Sequence, residues 1–100
     1  MKTRDRRRYL VLCVHPEEVE LRPVRVFEEL RRVVARLHGE HGLSLTSLSL
    51  VYEEPLIVRC SHRYVDLVRS GVAALREVDG RRCMVHVAKC SGTLRRALRS

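Results

Sequence analysis

Apolar positions along this 100-residue chain follow two different periods, and the changes between them divide it into elements. The run from Tyr9 to Val14 is short and apolar on both faces, the pattern of a strand with neither face openly solvated. Pro16 and the acidic residues to Glu20 make a loop. From Pro23 the period lengthens: Val26, Phe27, Leu30, Val33, Val34 and Leu37 recur at three- and four-residue steps, with charged residues between them. This predicts a helix from about Pro23 to His38. Pro23 suits its first turn, Glu28 can pair with Arg32, and Gly39 is placed to stop it.

Gly39 to Gly42 then reads as a turn. Leu45 to Tyr52 alternates as a strand with one wetter face, Glu53-Glu54-Pro55 breaks it, and Leu56 to Cys60 is a further strand, so the pair forms a hairpin. Ser61 is a good cap for a second helix, whose stripe runs through Tyr64, Val65, Val68, Val72, Leu75 and Val78 to a stop at Gly80. Gly71 in its middle costs about 1 kcal/mol relative to Ala, unless close packing needs it. Cys83 to Cys90 is a last strand, and Ser91-Gly92-Thr93 opens a short basic helix. The order β-α-β-β-α-β plus a C-terminal helix predicts an α+β, ferredoxin-like or RRM-like sandwich. Its first and third strands should be central. The face away from the two helices, with Val11, Cys13 and Ile57, needs cover from the C-terminal helix or a partner.

Charge changes this picture. The net charge is +8, from 20 Lys+Arg against 12 Asp+Glu. Residues 1–8 and 89–100 each sum to +4, while residues 9–88 sum to zero. The organisation expected is a basic arm (1–8), a folded domain (9–90) and a basic C-terminal helix (91–100). Basic ends suit a polyanion, because each neutralised phosphate releases counterions. Candidate RNA-binding residues are therefore Lys2, Arg4, Arg6, Arg7, Arg8, Lys89, Arg95, Arg96 and Arg99, with Ser91, Gly92 and Thr93 at the helix start. Arg predominates, and its planar fork fits phosphate. Aromatics are only 4% of the chain, so a base-stacking platform of the usual RNA-recognition kind is absent, and RNA binding would rest on charge and shape.

Other chemistry is sparse. The basic start is followed by too short an apolar run for a secretory signal, and nothing approaches a membrane span, so a soluble cytoplasmic protein is expected. Cys13, Cys60, Cys83 and Cys90 read as buried free thiols. Cys60 with His62 and Cys83 with His86 are poorly spaced for zinc. No phosphate loop, carboxylate pair or nucleophile triad appears, so no catalytic residue and no protein-bound cofactor or metal is expected.

Several segments together resemble the archaeal ribonuclease P protein component 2 family, which includes the eukaryotic Pop/Rpp subunit shared by ribonuclease P and MRP. They are Arg8-Tyr9-Leu10, His38-Gly39 with Gly42, Leu50-Val51-Tyr52, Val58-Arg59-Cys60 followed by Tyr64-Val65, and Ser91-Gly92-Thr93 before a basic tail. The resemblance implies a non-catalytic subunit of an RNA enzyme. The ribonuclease P RNA, with Mg²⁺ bound to the RNA, would cut precursor tRNA at its mature 5′ end, and this chain would pair with protein component 3, with a dimer of heterodimers as a further level of assembly. The other function class compatible with the residues is a ferredoxin-like interaction or regulatory domain without nucleic acid, its basic ends conferring only solubility.

Overall fold

The computed structural model describes residues 6–99. Four strands, β1 (Arg7–His15), β2 (Ser49–Tyr52), β3 (Leu56–Ser61) and β6 (Met84–Ser91), form one antiparallel sheet in the order β2-β3-β1-β6. Helices α1 (Pro23–Thr46) and α2 (Val65–Ala74) cover one face. This is the predicted ferredoxin-like arrangement, with the first and third strands central. The strand pattern places alternate residues on opposite faces. Leu10, Leu12, Val58, Cys60 and Val85 point into the helical core with Val26, Leu30, Val34, Val68 and Val72.

The opposite face carries Tyr9, Val11, Cys13, Ile57 and Arg59. The C-terminal helix α3 (Leu94–Leu98) packs over β1 and β6 there and buries Ala97, while Ile57 is fully buried. The C-terminal helix thus supplies part of the cover foreseen for this face, while Val11 and Cys13 remain half-buried.

Three expectations are corrected. The first helix does not end at Gly39. That residue is non-helical, at φ 80° and ψ 168°, but the chain resumes its helix directly and continues to Thr46. Leu43 and Thr46, three apart, are both buried, so the segment read as a turn and strand start is a second helical piece, and β2 shrinks to Ser49–Tyr52. Thr46 closes it: its hydroxyl donates to the Leu43 carbonyl at 2.6 Å and accepts from the Leu48 amide at 3.2 Å.

The second helix ends at Ala74, short of Gly80. Glu77–Val78 (β4) and Arg81–Arg82 (β5) instead form a small hairpin around Asp79 and Gly80. Both turn residues have positive φ, 52° and 78°, which fits an Asp-Gly hairpin turn. Val78 is buried in either arrangement, which is why it fitted the helical stripe.

The expected Glu28–Arg32 pair is also replaced. Glu28 binds Arg25 at 3.3 Å, and Arg32 binds Glu29 at 3.1 Å. Arg25 reaches on to Asp79 at 2.8 Å, tying the hairpin to α1.

Candidate nucleic-acid interface

Antiparallel pairing determines where the basic ends of the chain go. The start of β1 runs beside the end of β3 and the end of β6. Arg7 is opposite Ser61, Arg8 opposite Cys60, and Tyr9 lies between Arg59 and Ser91. The Arg6 carbonyl accepts from the His62 amide at 2.9 Å, extending this contact one residue before the strand. A Cβ on Gly92 would come 3.1 Å from an Arg8 guanidinium nitrogen, so the glycine leaves room for that side chain. Arg6, Arg7 and Arg8 therefore lie at the same end of the sheet as Ser91, Gly92 and Thr93. The described arginines of the first basic end, Arg6–Arg8, and the start of the second, Ser91–Thr93, are separate in sequence and meet in space.

Thr93 caps α3, its hydroxyl accepting from the Arg96 amide at 3.2 Å. Arg95, Arg96 and Arg99 are exposed. Lys89 serves the fold directly, since its ammonium donates to the Arg99 carbonyl at 2.6 Å and holds the end of α3. Lys2 and Arg4 lie outside the described residues.

Two further arginines, Arg59 of β3 and the exposed Arg63, join this end of the sheet. Sequence reading passed over both because they belong to the electrically neutral body. The available signal was Arg59 itself, one cation inside an apolar strand. No strand of the main sheet, and no residue of α3, is acidic. The acids of the neutral body are on α1, α2, the loops and the small hairpin, so neutrality of the sum hides a separation of charge.

This end also gathers all three buried side-chain polar atoms that lack a hydrogen-bond partner among the described residues: Ser49 Oγ, Arg59 Nε and His62 Nδ1. At the other end of the sheet, His15 Nε2 and His86 Nδ1 are 2.9 Å apart, with rings stacked at 4.8 Å. That contact had no signal in the sequence, because the two residues are 71 positions apart.

The thiols differ from expectation in one respect. All four are free, but Cys90 is exposed and Cys13 half-buried. Burial pushes the Cys60 thiol up to about 11, with a smaller rise from Cys90 and opposing pulls from Arg69 and Arg7. Among the described residues no cluster of three or more His, Cys, Asp or Glu could hold a metal ion, and no helix is long and apolar enough to cross a membrane.

Residues 8–100 match the family model of the Rpp14/Pop5 family. The chain belongs to the Rpp14/Pop5 family. The family resemblance drawn from the motifs is thereby confirmed. Ribonuclease P protein component 2 of Methanosarcina mazei is 44% identical over 41 residues, 41% of this chain and 35% of that protein. The match thus spans about a third of the relative's length. A chain in the cryo-EM structure of yeast ribonuclease MRP superposes with a TM-score of 0.69 at 17% identity, over 94% of this chain and 79% of that one. At that identity the likeness concerns the fold alone, shared over nearly the whole chain.

Proposed function

We propose that this chain is a protein subunit of ribonuclease P that binds the catalytic RNA through the basic end of its sheet. By neutralising phosphates there it lets the RNA fold and hold Mg²⁺ at lower ionic strength, and so assists removal of the 5′ leader from precursor tRNA. Endonucleolytic cleavage belongs to the RNA; this chain contributes no catalytic residue. Protein component 3 is the proposed protein partner, in a heterodimer able to pair with a second copy of itself.

The observation that carries this reading is the meeting of Arg6, Arg7 and Arg8 with Ser91 and Gly92, which lead into the Arg-rich α3, on a sheet whose strands carry no acid. Two solubilising tails would gain nothing from convergence, whereas a polyanion gains from every cation placed along one path. Family membership and the name of the Methanosarcina relative support the same reading.

A salt titration of binding to ribonuclease P RNA tests it. A steep negative dependence of affinity on salt is expected, with a slope reduced by about two in the Arg95→Ala/Arg96→Ala variant. Binding that is absent, or indifferent to salt, favours a protein-interaction domain without nucleic acid. Reconstitution with the RNA and component 3 tests the functional step: adding this chain should improve precursor tRNA cleavage at modest Mg²⁺.

A further inference from the structure

Arg59 holds a position at which the described residues leave its Nε without an acceptor. Its neighbours Val58 and Cys60 are fully buried in the helical core, so its own side chain goes to the opposite face. There it occupies the centre of a cross-strand row, Ser49–Arg59–Tyr9–Ser91. Arg59 Nε and Ser49 Oγ are both buried, and neither has a hydrogen-bond partner among the described residues. Ion pairs elsewhere satisfy Arg25 and Arg32, but the main sheet has no acid to do the same for Arg59.

A buried N–H of a cation without an acceptor is unfavourable, and so is a buried hydroxyl without one. Two adjacent orphans of this kind, on neighbouring strands and facing the same way, mark a place where a ligand supplies the oxygens. We propose that Arg59 and Ser49 form a subsite for one phosphodiester of an RNA strand, a deepening that rests on the RNA-binding reading above.

The chemistry favours phosphate. A guanidinium presents parallel N–H groups that match two phosphate oxygens, and the serine hydroxyl adds one more donor. A carboxylate from a partner protein offers the same two oxygens and, like one phosphodiester, a single charge, so the surroundings decide between them. The surroundings call for more: Arg6, Arg7, Arg8 and Arg63 lie at the same end of the sheet, and only a polyanion answers them together. Tyr9, in register beside Arg59, is also the residue type against which an unstacked base can lie. The subsite differs from the arginines of α3 in being built into the sheet. Its donors have a fixed spacing, where exposed side chains supply charge alone.

The test uses the full-length protein and a transcript of ribonuclease P RNA as probe, with the thermal midpoint of the free protein measured in parallel. Arg59→Met keeps the apolar stem and removes the donors. It is expected to weaken RNA binding about tenfold and lower the salt slope by about one, while the thermal midpoint stays level or rises. Ser49→Ala should weaken binding about threefold, again without loss of stability. A merely structural Arg59 would give the reverse, a lower midpoint with RNA binding retained, and that result overturns the proposal. Normal RNA binding by Arg59→Met, with component 3 lost instead, overturns it in favour of a protein partner. If Arg95→Ala/Arg96→Ala binds weakly and Arg59→Met binds as wild type, the subsite alone is refuted. If the wild-type chain does not bind the RNA at all, the broader reading fails first.

Discussion

Gly71 of α2 sits directly on Val34 of α1: a Cβ added to the glycine would stand 2.5 Å from Val34 Cγ2 and 3.3 Å from Leu30 Cδ1. Here helix propensity and packing oppose each other. Gly71→Ala gains about 1 kcal/mol of propensity but forces two fully buried side chains aside, at a cost of about 1–3 kcal/mol. The variant is expected to unfold at lower denaturant than wild type. Adding Val34→Ala should recover part of the loss, and a double-mutant cycle reads that coupling directly. Equal or greater stability of Gly71→Ala would show that the two helices can move apart.

Thr46 is fully buried and satisfies both the Leu43 carbonyl and the Leu48 amide. Thr46→Val keeps the shape and leaves two backbone groups without that partner. A loss of about 1–3 kcal/mol is expected in urea unfolding. Thr46→Ser, which keeps the hydroxyl, should lose less.

The Asp79 carboxyl is held below its ordinary range by its hydrogen bonds from Arg25, against an opposing effect of desolvation. A carboxylate with a depressed folded-state pKa stabilises the protein above its unfolded-state value, and that contribution disappears as pH falls through the folded-state one. Asp79→Asn should therefore melt lower than wild type at pH 7 in low salt. The gap is expected to close on acidification below the ordinary carboxylate range, and to narrow with added salt because the pair is exposed. Asn tolerates the positive φ at this position, so the turn itself should survive.

Cysteine labelling follows burial. With its thiol pushed up to about 11 by burial, Cys60 should resist iodoacetamide at pH 8 in the folded protein. Exposed Cys90 should be modified first, as peptide mass spectrometry can read. Cys83, buried and also raised by desolvation, should follow Cys60 in reacting slowly. Early modification of Cys60 would mean that the β3 layer opens readily.

The larger elements were legible because periodicity responds to burial, and burial follows the two layers. Val26, Leu30 and Val34 face the core at helical spacing, while Leu10, Leu12 and Val58 do so at strand spacing. What escaped was decided by contacts remote in sequence. Gly39 has the composition of a helix stop, but burial of Leu43 and Thr46 draws the chain back into helix. Val78 fits a helical stripe, yet the Asp79–Gly80 turn and the tie to Arg25 place it in a hairpin. His38 illustrates a subtler loss. It read as a side chain at a helix end, but its Nε2 lies 2.7 Å from Ser70 Oγ, whose own proton goes to the Leu67 carbonyl. His38 is therefore the donor, and it joins α1 to α2. The basic ends were legible as charge, but their meeting depended on strand order, and Arg59 gained its interest only once its neighbours were known.

That meeting has a consequence for how the arginines act. Because Arg6–Arg8 lie beside Ser91 and Gly92, from which α3 starts, a ligand held by one set already lies close to the other. The second contact forms within a single complex, at an effective concentration set by their short separation. On the proposed function the two groups act as one bivalent clamp, and removing either is expected to increase the dissociation rate of ribonuclease P RNA more than its own contacts account for.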